Sequence, residues 1–236
     1  SFDVLRALRR ILREKKMGHT GTLDPMAEGV LLVCVGKATK YVDALMAKEK
    51  IYQAELTLGI ETDTEDSTGK ILSEEEVSIS KEDIEKILPR FLGKQEQIPP
   101  MYSAKKLEGK KLYELAREGK TVERKPSQIE IFALEILSYN CSKLRFRIHC
   151  SKGTYIRTLC KDIGEALGTK ACMSALLREQ VGEFSLKESY RLSEIEKLEG
   201  AGERDTYLLP PLYSQKDSIL TFGKFDGLHL GHQKIF

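Results

Sequence analysis

The sequence has no tryptophan, only five cysteines and four histidines, and no long hydrophobic run. The cysteines are odd in number and form no C-x-x-C pair, which argues against a disulfide scaffold or a zinc cluster. We therefore expect reduced thiols and no metal site. The longest strongly apolar run, residues 30–35, is far too short to cross a bilayer. With no signal-like segment at its start, the chain is expected to be cytoplasmic and not membrane-bound.

The composition fits a globular protein with a sizeable core. The chain has 236 residues, of which 41% are hydrophobic and 31% charged. Periodicity predicts strands and helices without a regular βαβ alternation, so we expect an α+β fold with a mainly antiparallel sheet. The predicted strands are residues 30–35, 51–58, 129–137 and 144–150, with 61–70 a loop or edge hairpin. The predicted helices are residues 3–15, 37–47, 80–91, 112–119, 158–167, 173–179 and 192–198.

The net charge of +2 hides a strongly segregated charge distribution. Residues 6–16 carry six basic side chains and one acidic one, residues 104–125 eight and four, and residues 143–161 six and none. Residues 61–85 instead carry ten acidic and two basic side chains. Basic blocks are often solvated surface, but three of them separated from one acidic block favour a nucleic-acid partner.

A glycine-rich polar segment, residues 18–25, is the first candidate site. It places His19 and Asp24 between two glycines and a proline. Gly18 and Gly21 permit unusual backbone angles, and the proline pushes Asp24 toward an extended conformation. The segment could be an ordinary turn or helix cap. It could equally be a rigid loop that fixes one carboxylate and one imidazole for chemistry.

Three later segments also carry candidate residues. Tyr52 opens a predicted strand, where its ring could stack on a base or simply fill the core. Residues 99–106 form a long polar excursion, and such excursions are often functional arms or lids. Residues 150–159 join a strand to a helix, where Lys152 could hold a phosphate and Arg157 a carboxylate. An ordinary turn with an exposed Arg157 is the alternative.

Five motifs in one order resemble the TruB family of tRNA pseudouridine synthases, over about residues 1–211. They are Gly18-His19-Thr20-Gly21-Thr22-Leu23-Asp24-Pro25, Lys50-Ile51-Tyr52, Thr62-Asp63-Thr64-Glu65-Asp66, Gln97-Ile98-Pro99-Pro100-Met101-Tyr102-Ser103-Ala104 and Ser151-Lys152-Gly153-Thr154-Tyr155-Ile156-Arg157. The resemblance implies the pseudouridine synthase fold, in which helices flank a mainly antiparallel mixed sheet.

The resemblance also implies a reaction. Such enzymes convert the uridine at position 55, in the T loop of tRNA, to pseudouridine. The N-glycosidic bond breaks, the uracil turns, and a carbon–carbon bond forms from C5, without metal, nucleotide or redox cofactor. The resemblance makes Asp24 the catalytic residue, Arg157 its partner and Tyr52 a contact of the target base. The expected partner is the T arm of tRNA, bound by a monomer.

The RNA-binding residues follow from the same resemblance. His19 is expected to hold the flipped-out nucleotide, with Thr20 beside it. A basic thumb, about residues 99–128, is expected to grip the RNA. Leu177-Arg178-Glu179 stands where Leu-Arg-Arg is common, which leaves Arg178 but not residue 179 as a contact. The further candidates are Lys105, Lys106, Lys110, Lys111 and Lys152.

The last residues resemble a different enzyme. Residues 218–232 are similar to the start of bifunctional riboflavin kinase/FAD synthetase, whose H-x-G-H imidazoles face nucleotide phosphates; here these are His229 and His232. We therefore expect a catalytic domain over residues 1–212, lacking its N-terminal strand. Residues 213–236 would be the truncated start of a nucleotidyltransferase domain, or an artefact, and no adenylyl transfer is expected.

Two other functions remain open at this point. The basic blocks alone would also suit a tRNA-binding or tRNA-folding module without catalysis. His229 and His232 would suit a fragment of an FMN adenylyltransferase. The five ordered motifs favour the function of a pseudouridine synthase.

Overall fold

The computed structural model of the chain describes residues 1–107, 109–200, 219–223 and 227–230. Helices and strands are mixed along the sequence, which confirms the α+β class. The strands are β1 (Met17–His19), β2 (Glu28–Val35), β3 (Lys50–Leu58), β4 (Ile60–Thr62), β5 (Ile71–Glu74), β6 (Gly93–Gln97), β7 (Lys106–Leu107), β8 (Lys110–Lys111), β9 (Ser127–Asn140), β10 (Lys143–Cys150), β11 (Ala171–Val181), β12 (Phe184–Ser185), β13 (Ile219–Gly223) and β14 (Gly227–Leu230).

Six α-helices lie between these strands in the described residues. They are α1 (Phe2–Ile11), α2 (Val42–Met46), α3 (Lys81–Ile87), α4 (Leu112–Arg117), α5 (Ile156–Ala166) and α6 (Leu192–Gly200). Three short 3₁₀ helices, Gly36–Tyr41, Leu88–Phe91 and Leu186–Glu188, adjoin them. The described residues contain no helix that is long and apolar enough to cross a membrane.

The chain forms two compact units, and each is described by itself. Unit 1 comprises Ser1–Tyr52 and Leu177–Phe236, and unit 2 comprises Gln53–Leu176. This division falls inside the predicted catalytic domain of residues 1–212. The predicted boundary near residue 212 stays a prediction.

Unit 1 is organised around β2, whose residues from Gly29 onward are all buried. The run Val30 to Val35 has no polar side chain, so both of its faces must be covered. β1 and β13 pair with it antiparallel, and the end of β11 pairs with it parallel, Leu177 opposite Glu28. Helix α1 packs Leu5 and Leu8 inward and leaves its arginines outside.

In unit 2 the strands lie side by side in the order β3, β10, β9 and β6. β9 is antiparallel to both of its neighbours, β10 and β6. β3 alternates between buried and half-buried residues, and β10 between buried and exposed ones, so each strand has one core face. Phe146 and Ile148 of β10 are fully buried, and Leu159 and Ile163 bring α5 into the core.

The sequence predicted most of these elements. The capping box at Ser80 and Asp83 is present, and it starts α3 as the pattern indicated. Residues 61–70 belong to the β4–β5 hairpin, which is one of the two predicted alternatives. The predicted helix over residues 3–15 ends earlier, at Ile11, because Arg13 adopts a left-handed backbone conformation with φ of 51°.

The prediction of a helix over residues 173–179 was wrong, since this segment lies within β11. Met, Ala, Leu and Glu are good helix formers, and the local sequence therefore favours a helix. β11 instead lies between β2 and β3 in the strand order and is buried at both of its ends. Tertiary pairing overrides local propensity at such a central position.

The segment that resembles a second enzyme is described only in part. β13 and β14 form an antiparallel hairpin, and β13 pairs with β2. His229 falls in β14, whereas His232 lies outside the described residues. The nucleotide-binding role predicted for both histidines stays a prediction.

Candidate active site

Residues 18–25, which we call the 18–25 loop, are held at both ends by backbone contacts within unit 1. His19 pairs with Val33 across β1 and β2, and the Thr20 amide donates a hydrogen bond of 3.0 Å to the Leu32 carbonyl. After Asp24 the chain turns sharply, because the Ala27 amide donates to the Asp24 carbonyl at 3.0 Å. Asp24 is half-buried on this turn. The geometry is that of a supported loop, which is what a fixed carboxylate requires.

Two buried polar atoms in this loop have no hydrogen-bond partner in the described residues. They are Nδ1 of His19 and the hydroxyl of Thr20, a residue that is only 1% exposed. Buried polar groups are nearly always hydrogen-bonded, so two such atoms without a partner, in the same loop as the half-buried Asp24, make this loop a candidate site. Burial lowers the pKa of His19, and the charge of Arg178 adds to this, so the imidazole is neutral at pH 7.

Arg178 lies inside unit 1, with 2% of its surface exposed. Its Nε donates to the Val30 carbonyl at 2.7 Å, and Nη2 donates to the Gly21 carbonyl at 3.1 Å. The RNA contact predicted for Arg178 is untested. What the structure shows is a guanidinium bound to the backbone of the 18–25 loop, which the sequence pattern did not reveal.

Tyr52 and Lys50 both lie on the buried side of β3. Tyr52 is 9% exposed, and its base contact stays a prediction beside the core role that the sequence also allowed. Lys50 is 6% exposed, and its ammonium donates to the carbonyls of Met46 and Lys48, each at 2.6 Å. A cation at these carbonyls stabilises the C-terminal end of α2. Lys50 of the Lys50-Ile51-Tyr52 motif thus has a structural role in unit 1.

In unit 2, Arg157 is buried at the start of α5, with 5% of its surface exposed. Its Nη1 donates to the Thr64 carbonyl at 2.9 Å, and Nη2 donates to the Tyr102 carbonyl at 2.7 Å. An exposed Arg157, the alternative allowed by the sequence, is therefore wrong. Because Asp24 belongs to unit 1 and Arg157 to unit 2, their pairing stays a prediction.

Asp66 is a functional candidate that the sequence analysis did not single out. It is 4% exposed, and its Oδ2 lies 3.8 Å from Nη1 of Arg157. Its Oδ1 accepts hydrogen bonds from the hydroxyl of Thr64 at 2.9 Å and from the amide and hydroxyl of Thr68 at 2.9 and 2.6 Å. These bonds fix the carboxylate, which in turn orients the guanidinium. The Thr-x-Thr-x-Asp spacing of the third motif was the available signal.

The turn before α5 is also pinned. The side chain of Gln97 accepts from the Tyr155 amide at 2.8 Å and donates to the Tyr155 carbonyl at 3.0 Å. Gln97 is only 3% exposed, so this pair of bonds connects the root of the 99–128 segment to the start of α5. Lys152 is exposed on the same turn, and its phosphate contact stays a prediction.

One helical residue near this turn makes stability depend on pH. Burial raises the pKa of Asp162 on α5 from its ordinary value of 3.8 to about 6. The charges of Glu165 and Glu65 add to the effect, and that of Lys161 opposes it. The folded protein therefore holds this proton more tightly than the unfolded chain, and its stability falls as pH rises through this window.

We expect Asp162→Asn to raise the free energy of unfolding at about pH 7.5 by about 1 kcal/mol, a value discounted for the partial exposure of the group. At about pH 4 the gain should nearly vanish, because the carboxyl is protonated in the folded state. Urea unfolding at both pH values measures this difference. Equal effects at the two values would contradict the role of burial.

The predicted thumb, about residues 99–128, contains the β7–β8 hairpin followed by α4. Its cations differ in their surroundings. Lys105 donates to the Ser127 hydroxyl at 2.6 Å, and Lys111 lies over the ring of Tyr113, whereas Lys106 and Lys110 are exposed on the hairpin. Lys106 and Lys110 are thus the better probes of charge, since neither side chain makes a hydrogen bond or an ion pair within the described residues.

We expect the double charge reversal of Lys106 and Lys110 to glutamate to weaken RNA binding and to flatten its salt dependence. The slope of log Kd against log salt should fall by about 1.5, because each lost phosphate contact contributes roughly 0.7 to 0.9. Filter binding of T-arm RNA across a salt series measures it. The matched control reverses Lys81 and Lys86, which are exposed on α3 beside acidic residues. An unchanged slope for the thumb variant would refute the assignment.

The described residues contain no group of histidine, cysteine, aspartate or glutamate side chains that could hold a metal ion. The five cysteines are all free, and four of them are buried.

Comparison with protein-family models matches nearly the whole described chain. The model described as "TruB family pseudouridylate synthase (N terminal domain)" matches residues 9–156. The model described as "tRNA pseudouridylate synthase B C-terminal domain" matches residues 157–213. The first match covers the 18–25 loop, Tyr52, Asp66 and the thumb, and the second begins at Arg157.

Curated relatives and solved structures agree with these matches. A protein of Alkaliphilus oremlandii named "tRNA pseudouridine synthase B" is 50% identical over 213 residues, covering 90% of this chain and 70% of the relative. One of Fusobacterium nucleatum with the same name is 52% identical over 187 residues, covering 79% and 65%. The chain thus spans about two thirds of the length of these relatives.

Among solved structures, the "Crystal Structure of a Cbf5-Nop10-Gar1 Complex" contains a chain of similar fold. It has a TM-score of 0.63 and 27% identity, with 85% of this chain and 52% of that chain covered. The "Structure of H/ACA RNP bound to a substrate RNA containing 2'-deoxyuridine" contains another, with a TM-score of 0.61, 26% identity and coverage of 86% and 52%.

Proposed function

Because the chain belongs to the TruB family of pseudouridylate synthases, we propose that it converts uridine 55 in the T loop of tRNA to pseudouridine, with Asp24 as the catalytic residue. The observation that carries this assignment is the 18–25 loop. It offers one half-buried carboxylate beside a neutral His19 and an open, buried Thr20 hydroxyl. We further propose a cytoplasmic monomer.

The proposed chemistry needs an ionised carboxylate at a fixed place. When the bond between N1 of the uracil and C1′ of the ribose breaks, positive charge develops on the sugar. Asp24 can stabilise or trap that charge. The uracil then turns, C5 bonds to C1′, and the proton on C5 is released while N1 gains one, so the product is an isomer of the substrate. No second catalytic carboxylate is required, because no group is transferred to water.

The other proposed residues bind and position the RNA. Extracting the base from a folded loop costs on the order of a few kcal/mol. Stacking on Tyr52 and phosphate contacts by Lys106, Lys110 and Lys152 would offset that cost. His19 and Thr20 would contact the extracted nucleotide. Arg157 would pair with Asp24 and keep it ionised, because a nearby guanidinium lowers the pKa of a carboxyl group.

The test is the release of tritium from RNA labelled at C5 of uridine. We expect the chain to release tritium from a T-arm stem-loop, with none released when the target uridine is replaced by cytidine labelled at the same position. A folded sample that binds the stem-loop but releases no tritium would overturn the proposal. That result would favour a tRNA-binding or tRNA-folding module without catalysis.

A further inference from the structure

We infer that Arg178 is the positioning residue of the 18–25 loop, holding its backbone so that Asp24 is presented in working geometry. The inference rests on the proposed function for the part that concerns activity. Its structural basis is a single guanidinium that donates to Val30, on β2, and to Gly21, three residues before Asp24. One planar group therefore joins the loop to the strand that supports it.

Only arginine can make this connection. Its donors stand in a rigid fork, whereas lysine presents one ammonium at the end of a flexible chain. The bonds at Nε and Nη2 measure 2.7 and 3.1 Å, and both carbonyl acceptors would lose a buried partner if the guanidinium were removed. Water cannot readily replace it, since the residue is 2% exposed.

The backbone of Arg178 is fixed as firmly as its side chain. Arg178 stands opposite Gly29 where β11 runs parallel to β2. Gly29 has φ of +101°, and a Cβ atom there would lie 2.2 Å from the Arg178 carbonyl oxygen. The two strands thus approach too closely for any other residue at position 29. This close approach sets the position of Arg178 opposite Gly29, and the guanidinium can therefore hold the loop in one place.

The loop meets the guanidinium through a second glycine. Gly21 has φ of +136°, and a Cβ atom there would lie 3.5 Å from Nη1 of Arg178. The loop therefore contacts the guanidinium in a backbone conformation that residues other than glycine rarely adopt. The pKa of His19 is lowered mainly by burial, and the charge of Arg178 contributes in the same direction.

A positioning residue and an RNA contact predict different kinetics. We expect Arg178→Lys to lower kcat for the T-arm stem-loop by about a hundredfold, because a misplacement of about 1 Å costs that much. KM and the Kd for the stem-loop should stay within about threefold of the parent values. An RNA contact would instead raise KM and Kd and leave kcat little changed, and that result would overturn the inference.

Three further measurements distinguish a positioning role of Arg178 from general damage to the fold. Arg178→Ala should regain activity with added methylguanidinium and not with methylammonium, since only the former restores the fork. Gly21→Ala, which strains the loop backbone because φ is +136° there, should show the same loss in kcat. Arg90→Met is the matched control, because Arg90 is exposed in unit 2, and it should behave like the parent.

Hydrogen exchange tests the inference without using activity. In Arg178→Lys, the amides of residues 18–25 should exchange at least about tenfold faster, while those of α5 and β10 keep their parent rates. Unchanged exchange in the loop would overturn the inference even if the variant were inactive. If the parent chain makes no pseudouridine, the proposed function fails, and the exchange result still decides whether Arg178 holds the loop.

Discussion

Replacing Asp24 with asparagine is expected to reduce tritium release from T-arm RNA by at least about a thousandfold. Asparagine has nearly the same size but no charge, so it can neither stabilise positive charge on the sugar nor form a covalent bond to it. Binding should change little, because β1, the turn at Ala27 and Arg178 hold the backbone of the loop. Single-turnover release and a direct Kd measure the two effects.

The matched control for this prediction is Asp43→Asn. Asp43 is an exposed aspartate of α2 in the same unit, and its replacement should leave both release and binding at parent values. If Asp24→Asn retained full activity, another residue would have to carry the chemistry. If it lost binding in proportion to activity, Asp24 would be a contact of the RNA and not the catalytic residue.

Replacing Arg157 with alanine should have the largest effect on stability as well as a large effect on turnover. The change would leave Asp66, which is 4% exposed, without its ion pair, and the carbonyls of Thr64 and Tyr102 without donors. Breaking a buried pair from one side typically costs about 3–5 kcal/mol. We expect a loss of this size in urea unfolding. Turnover should fall steeply, and RNA affinity should fall less.

Two companion variants show which interaction of Arg157 accounts for the loss of stability. Lys161→Ala removes a partly exposed cation of α5 that lies 3.6 Å from Glu65 of the 62–68 loop, and it should cost no more than about 1 kcal/mol. Arg157→Ala combined with Asp66→Asn should recover part of the stability, since no buried charge is then left unpaired. It should not recover turnover. Equal losses of turnover and affinity in Arg157→Ala would instead identify Arg157 as a phosphate contact.

The difference between these two predictions reflects how the two residues are held. Asp24 stands on a loop whose backbone is fixed by other groups, so removing its charge leaves the loop in place. Arg157 itself connects the acidic loop of residues 62–68 to the root of the thumb through its hydrogen bonds, so its removal destabilises unit 2. Measuring stability beside activity is therefore essential for Arg157 and less so for Asp24.

The sequence was a sufficient guide wherever a local rule applied. Strand β3 follows from its alternating pattern, α3 from its capping box, and the 18–25 loop from its glycines and proline. The five ordered motifs also predicted the family that the comparisons show. The helix of the thumb, α4, also follows from the pattern of residues 112–119, whereas its β7–β8 hairpin was not predicted. Each of these signals lies within a few neighbouring residues.

The tertiary structure decided what depends on residues far apart in the chain. Residues 173–179 have the composition of a helix, yet they form part of β11 because a strand is needed between β2 and β3. Arg178 was predicted as an RNA contact, and the structure adds that its side chain donates to the carbonyl of Gly21, 157 positions away in the sequence. Asp66 received its partner only when the chain brought Arg157 from 91 positions away.

The sequence by itself therefore determined the fold class and the family, because these follow from local composition, spacing and order. The residues proposed to carry the chemistry stay a prediction from the same motifs. Only the tertiary structure decided which buried groups hold those residues, through the donors of Arg178 and the carboxylate of Asp66. The physical reason is that a buried polar group must find partners wherever the fold supplies them. Those partners lie far apart in the chain, so the local sequence does not show which groups will pair.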